Sequence, residues 1–478
     1  MIYANWQSAK MFDERGGDTV DRIYNALKDI VGERFVSNQQ EELYLYSRDP
    51  GTMDPSWPDY VVMPGSTEEV QKIVMLANQE RIPLVPQGGG LVLSGLTIPL
   101  KGGILLDMKR MNRIIEVNRS SRYVIVEAGC SHGMLQSYLN RNYPDLRHSM
   151  PDSPPISTVG GNVCIHGSGH LSQVYGFHSD MVNGMEVVLP TGEVCKVGSC
   201  SISPYWFARA PLPDLAGLFL GWFGTTGIMT KISLKLYPNK TMKDVMVFMT
   251  ENPDYITDII YKVTDTEVAE DINISCAPKP DWMDGFQLTS INIVGRDQLE
   301  LDYKFKRIRS ALGGYIDSRE GGFMYMPPVM KRTFMEIPLR STSRFADVKK
   351  GGGFEYVGGI MPVEKFPEAY QAGHEIAKRC KTAYSLSARI IGRAHCMMFS
   401  CAYAFNRADQ EDVERAKQAL HETNKAVLEL GGIPWKAEFP AQQLIMEKMD
   451  PNTLRLMEQV KKLMDPNGIM NPGNWEVK

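Results

Sequence analysis

Apolar residues recur at helical spacing in DTVDRIYNALKDIVG, where Val20, Ile23, Leu27 and Ile30 fall on one side and predict a docking helix near the N-terminus. From Pro58 the pattern changes. PDYVVM is a short apolar run, Ser66 and Glu69 have capping-box spacing, and Val70, Ile73, Val74 and Ala77 share one helical face. A second apolar run, Ile82 to Val85, follows that helix, so this stretch reads as a βαβ unit that delivers the chain into a glycine loop. Further strands are predicted at 103–108 (GILLDM), 123–129 (YVIVEAG), 184–189 (GMEVVL) and 227–237 (GIMTKISLKLY). In the last of these Ile228, Thr230, Ile232 and Leu234 share a face. Residues 241–430 mix strands and helices and close with a helix from about Asp409 to Leu430, turning Val413, Ala416, Leu420 and Val427 inward. The final stretch, TLRLMEQVKKLMDPNGIMNPGNW, predicts a helix and then a Pro/Gly-rich hook that cannot be helical.

Composition narrows the class. A chain of 478 residues with 43% apolar and 23% charged residues is globular, and its length suggests roughly three domains or subdomains. The 52 basic and 56 acidic residues nearly balance, with no long block of one sign, which argues against nucleic acid as the main partner. The eight cysteines (130, 164, 195, 200, 276, 380, 396, 401) form no CxxC pair and read as reduced thiols of a cytoplasmic protein. They offer neither Fe-S spacing nor a CxxCH haem site, so any such relay belongs to another chain. The first residues lack a basic region followed by an apolar stretch, and no run approaches 18 apolar residues, so neither a signal peptide nor a membrane span is expected.

The candidate chemistry begins at Val85-Pro86-Gln87-Gly88-Gly89-Gly90-Leu91-Val92-Leu93-Ser94-Gly95. A triple glycine directly after a strand lets successive backbone N-H groups turn toward one anion, and a pyrophosphate suits it. The run is neither GxGxxG nor GxxxxGK[ST], so neither a Rossmann nor an NTPase site is supported. Two further loops, Pro151 to Asn162 and Phe223 to Thr230, repeat the combination of glycines and hydroxyls.

Together these loops resemble the flavoprotein superfamily of vanillyl-alcohol oxidase and 4-cresol methylhydroxylase, related also to glycolate oxidase and D-lactate dehydrogenase flavin subunits. The stretches that carry the resemblance are VPQGGGLVLSG, GGILLDMKRMNRIIEVN, YVIVEAGCSHGMLQSYL, STVGGNV, YGFHSDMVNGMEVVLPTGEV, GTTGIMTKISLKLYP and DPNGIMNPG. The resemblance implies an α+β fold: a two-part PCMH-type FAD-binding domain (1–240), an α/β cap or substrate domain (241–430) and a C-terminal segment (431–478) that returns to the FAD domain. It also implies that Pro86, Gln87, Gly88, Gly89, Gly90, Leu91, Ser94 and Gly95 hold the pyrophosphate. Pro151, Thr158, Gly160, Gly161, Asn162, Gly227 and Ile228 would line the flavin, and Asn471 would reach it from the tail hook.

The first histidine is His132, past the first glycine loop, which removes the histidine tether that some relatives place there. Tyr356 or His395 could tether FAD from the cap, and noncovalent FAD is the expectation. In the cap, Arg389, Arg393 and His395 differ by even steps, so in a strand they point the same way and favour a shared site with Tyr384 nearby. Trp435-Lys436 aligns with the Tyr-Arg pair that grips the phenolate in the phenol-oxidising branch, and His178 or Asp180 could replace that branch's Asp after Tyr-Gly. The metal motif of the hydroxy-acid branch is missing, and His166, His170 and His178 read as loop structure, so no metal is assigned.

The leading expectation is hydride transfer from a small alcohol or a benzylic C-H of a 4-alkylphenol to FAD. The alternatives are a D-2-hydroxy-acid dehydrogenase whose substrate carboxylate pairs with Arg389 or Arg393, and a non-catalytic flavin or scaffold subunit of an electron-transfer complex. Electrons would pass to a separate acceptor: a cytochrome, an electron-transfer flavoprotein, an Fe-S protein, a quinone or oxygen. Self-association, or membership of a larger complex, is also expected.

Overall fold

The N-terminal helix forms at Gly17–Val31 and buries Ile23, Leu27 and Val31 against the first core, as its apolar spacing predicts. The computed structural model describes residues 17–276, 285–335 and 351–476. Most of the N-terminal stretch read above for a leader lies outside them.

The first sheet runs in the order Val36–Ser37, Tyr60–Val62, Ile104–Asp107, Leu84–Gln87, and its last three strands are parallel. Thr67–Glu80 is the crossover helix, with Val70, Ile73, Val74 and Ala77 wholly buried. Its N-terminus departs slightly from a capping box. Ser66 Oγ accepts the Glu69 N-H at 3.2 Å, but the Glu69 carboxylate takes the N-H of Gly65, at 2.7 Å, instead of that of Ser66. The following strand starts two residues later than its hydropathy predicts, because Arg81 ends the helix in a left-handed conformation and Pro83 has no N-H to give a ladder.

The second sheet is antiparallel, in the order Ile114–Asn118, Tyr123–Glu127, Ile228–Lys235, Val182–Val188, Val194–Gly198. Ile228, Thr230, Ile232 and Leu234 are all buried, but register shifts at Met229/Lys231 and Ser233/Leu234 break the strict alternation and bury Ser233 too.

Eight antiparallel strands make the third sheet: Gly321–Phe323, Met242–Thr250, Gln287–Gly295, Asp271–Ser275, Ala383–Ile391, Cys396–Phe405, Gly353–Met361, Ile433–Trp435. One face places Ile272, Ile274, Ala388, Ile390, Phe399 and Tyr403 in a core with helices Ile256–Thr264, Gln298–Ala311, Phe366–Cys380 and Gln410–Glu429. Side chains alternate along a strand, so the opposite face carries Asp271, Asn273, Ser387, Arg389, Met398, Ser400 and Tyr356. That largely polar face looks toward the glycine loops.

The tail segment first gives the cap sheet its last strand, Ile433–Trp435, and then returns. After helix Pro451–Met464 the hook lies beside Leu84, whose N-H donates to Ile469 O at 2.7 Å and whose carbonyl accepts the Asn471 N-H at 2.9 Å. Among the described residues no helix is long and apolar enough to cross a membrane.

Candidate functional site

A cleft with about 1640 Å³ of unfilled space, its open mouth included, lies between the glycine loops and the polar face of the cap sheet. Strand Leu84–Gln87 ends at its wall and releases Gly88, Gly89, Gly90 and Leu91, none of whose N-H groups meets an acceptor among the described residues. Such a row of open donors concentrates positive potential and suits an anion.

Small residues are obligatory where these loops interlock. A Cβ on Gly88 would collide with Thr158 Oγ1, and one on Gly160 would sit 2.8 Å from both Ala128 Cβ and Ala128 O. Thr158 also caps the short helix Val159–Cys164, accepting the Gly161 N-H at 3.3 Å, and this fixes the second loop against the first. Gly227 is equally confined, since a Cβ there would lie 2.8 Å from Val187 Cγ1. Open N-H groups, glycine walls and the size of the cleft fit a dinucleotide with a flat ring system. FAD would suit this donor set, with Gly88 to Leu91 to hold its pyrophosphate and the loops of Thr158 and Gly227 to flank its ring.

Of the residues expected to hold the cofactor, Pro86, Gln87, Gly88, Gly89, Gly90, Leu91, Pro151, Thr158, Gly160, Gly161, Asn162, Gly227 and Ile228 line the cleft. Ser94, Gly95 and Asn471 do not line it and serve behind the wall. The Gly95 N-H donates to Asp49 Oδ2 at 2.8 Å, and Asn471 Nδ2 donates to Phe223 O at 2.7 Å and Leu96 O at 3.1 Å. Asn471 therefore clips the first and third loops together.

On the cap side, Lys436 adopts φ 55° and aims its ammonium between two rings, 4.8 Å from the Trp435 centroid and 4.9 Å from that of Tyr356. Its Nζ donates to Val92 O at 2.8 Å, and Trp435 Nε1 donates to Ile165 O at 2.6 Å, so the tail is pinned to both flavin-side loops. Burial pushes the Lys436 ammonium down to about 8, against the opposing pull of Glu355 and Asp49. Glu355 lies behind Tyr356, accepts the Thr52 N-H and hydroxyl at 2.9 and 3.0 Å, and is itself pushed up to about 8 by burial and then by Asp49.

Arg389 does not line the cleft and is committed to two carboxylates of the protein itself, so it is not placed to pair with a ligand carboxylate in the way expected from the sequence. It is 2% exposed, gives Nε and Nη2 to Asp271 at 3.2 and 2.9 Å, and gives Nη1 to Asp152 Oδ2 at 2.7 Å. Asp152 lines the cleft, and sequence reading missed it. Its only signal was its place beside Pro151, because the arginine that holds it is 237 residues away.

Arg393 and His395 depart furthest from expectation. The strand stops at Ile391, and Gly392, Arg393 and Ala394 turn with φ of 58°, 56° and 65°. The even-step argument fails because there is no strand to carry it. Arg393 points outward to Glu267, and His395 is exposed; neither lines the cleft. His178 is buried behind Asn162 and donates toward the Asn162 carbonyl oxygen. His166 contacts Ser179 Oγ at 2.8 Å and His170 Nδ1 accepts the Met150 N-H at 2.9 Å. No group of three or more His, Cys, Asp or Glu is placed to hold a metal among the described residues.

Comparison with known proteins agrees with this geometry. Residues 58–198 match the FAD binding domain family, and residues 359–475 match the family of FAD linked oxidases, C-terminal domain. The chain is similar to glycolate oxidase subunit GlcD of Bacillus subtilis, at 26% identity over 91% of this chain and 92% of that one. It is also similar to the mitochondrial D-lactate dehydrogenase [cytochrome] of Arabidopsis thaliana, at 26% identity over 94% of this chain and 79% of that one. The fold matches that of p-cresol methylhydroxylase with substrate bound, at a TM-score of 0.84 and 19% identity over 97% of this chain and 98% of the other. The chain therefore carries the FAD binding domain and the C-terminal domain of FAD linked oxidases, and shares the fold of p-cresol methylhydroxylase.

Proposed function

We propose that this oxidoreductase acts on a small alcohol or on the benzylic carbon of a 4-alkylphenol-like substrate, whose anionic oxygen meets Lys436. The observation that carries this reading is the Lys436 ammonium, held in the cleft between Tyr356 and Trp435 while Arg389 is consumed by two carboxylates. FAD, when bound, supplies the two-electron acceptor for hydride from such a carbon.

The chain's own residues do the rest. Lys436 binds and orients the oxygen, with a charge-assisted hydrogen bond that strengthens where water is excluded. Phe354, Tyr356, Met398 and Trp435 wall off water and suit an aromatic substrate. Asp152, kept in place by Arg389, lines the same cleft from the second glycine loop and is the carboxylate to take a substrate O-H proton.

A second reading has specific support in the relatives named glycolate oxidase and D-lactate dehydrogenase: a D-2-hydroxy acid whose carboxylate takes Lys436. Anaerobic absorbance titration separates the two. Bleaching of the flavin by a 4-hydroxybenzylic alcohol or alkylphenol supports the first, and bleaching by D-lactate or glycolate alone replaces it with the second. A yellow protein bleached by neither class points to the electron-passing subunit.

We place FAD noncovalently. His395 lies outside the cleft and Tyr356 already presents its ring to Lys436, so acid precipitation should leave the flavin in the supernatant. Electrons leave to a separate acceptor, for which a cytochrome has a precedent in the name of one relative.

A further inference from the structure

Asn162 lines the cleft at 9% exposure, and no described residue takes a hydrogen from its amide nitrogen. Which end of that amide faces the cleft follows from the hydrogen bonds behind it. The Leu171 N-H donates to Ser149 Oγ at 3.3 Å, and Ser149 Oγ lies 2.8 Å from His178 Nε2. Ser149 is 4% exposed and has no other acceptor among the described residues, so its hydroxyl hydrogen goes to Nε2.

Burial pushes His178 down to about 3, so the ring is neutral and carries one proton. With Nε2 accepting, that proton sits on Nδ1 and donates to Asn162 Oδ1. The opposite assignment would strand the serine hydrogen in a buried site.

Packing keeps the amide there. A Cβ on Gly167 would lie within van der Waals overlap of all three amide atoms of Asn162. The same glycine donates its N-H to Asn162 O at 2.9 Å and accepts the His178 N-H at 2.7 Å. The oxygen end is thus tied to His178 and the nitrogen end is left for the cleft.

We propose that His178 is a positioning residue that fixes the Asn162 amide, so that Asn162 offers an N-H donor to an acceptor atom of bound FAD. The proposal rests on the FAD assignment and not on the substrate. A donor at the flavin stabilises the reduced form, which carries more negative charge, more than the oxidised form. Loss or inversion of the amide therefore lowers the midpoint potential.

The test is a reductive titration of the FAD-loaded protein against a reference dye, for the wild type, Asn162→Asp, His178→Leu and His178→Asn, with circular dichroism as the check on folding. Asn162→Asp and His178→Leu are expected to lower the flavin potential or to bind FAD at least tenfold more weakly while staying folded. His178→Asn keeps an amide donor near the Nδ1 position and should recover most of the shift. A wild-type potential and FAD affinity in Asn162→Asp would overturn the proposal, as would an effect confined to the substrate KM. Should His178→Leu not fold, Ser149→Ala, which deletes one oxygen, carries the same expected direction, and an unchanged potential there counts equally against it. A wild-type protein that takes up no FAD would instead refute the cofactor assignment.

Discussion

Arg389 of the eight-stranded sheet holds Asp152 of the second glycine loop at 2.7 Å, joining that sheet to a loop that lines the cleft. The same guanidinium binds Asp271 of the neighbouring strand, so one buried cation fixes a carboxylate in the site and clips the two units together. Replacing Arg389 with Met leaves Asp271 buried and unpaired. The expected loss is about 3–5 kcal/mol in urea unfolding of the FAD-loaded protein at neutral pH, and flavin reduction should also slow. Unchanged stability would mean that the triad is not formed in solution.

Arg393→Ala and His395→Ala should behave differently from Arg389, although all three residues lie within one short segment. Both side chains face solvent beyond the Gly392 turn, so substrate-dependent reduction of the flavin should stay within about twofold of wild type. Stopped-flow absorbance decides this. A tenfold loss in either variant would bring the hairpin back into the site.

Gly88→Ala should yield folded, flavin-depleted protein. The new methyl meets Thr158 Oγ1, and relieving that contact must move either the glycine loop or the cap of helix Val159–Cys164. The ratio of visible to ultraviolet absorbance after purification reads the occupancy, and wild-type FAD content would remove the pyrophosphate assignment.

Lys436 gives the site a pH dependence of definite sign. Its ammonium, pushed down to about 8, is charged below that pH and loses its charge as pH rises through it. Affinity for an anionic phenol analogue should therefore be highest below about pH 8 and fall above it, with Glu355 and Asp49 the buried acids that oppose the loss of charge. Spectral titration of the bound flavin with the analogue at a series of pH values reads this, and a Lys436→Met protein should show the fall abolished. The stability linkage has the opposite sign. A lysine whose folded value is depressed releases its proton in the folded state first, so stability rises with pH between about 8 and the ordinary lysine value.

Much of this was legible in the sequence because glycine loops announce themselves locally. The glycines and hydroxyls of three loops mark Gly88 to Gly90, Thr158, Gly160, Gly161, Asn162, Gly227 and Ile228, the family resemblance assigns them to the cofactor, and all of them line the cleft. Trp435 and Lys436 came from the family resemblance, and both line it as well.

What escaped was whatever depends on two distant segments meeting. Asp152 acquires its place from Arg389, Tyr356 acquires Lys436, and Asn162 acquires its orientation from His178 and Ser149. Arg393 and His395 were misplaced for a local reason: even spacing signals a shared face only while the strand continues, and Gly392 ends it.

In the proposed function Lys436 is the group that meets the substrate's anionic oxygen. Anaerobic reduction of the flavin by a 4-hydroxybenzylic alcohol or alkylphenol, compared between wild type and Lys436→Met at equal FAD content, tests it most directly. Loss of a charge-assisted hydrogen bond of about 1.5–3 kcal/mol predicts a reduction efficiency lower by about ten- to a hundredfold in the variant. Equal efficiency in the two proteins, or bleaching by D-lactate or glycolate and not by the phenols, would contradict the account.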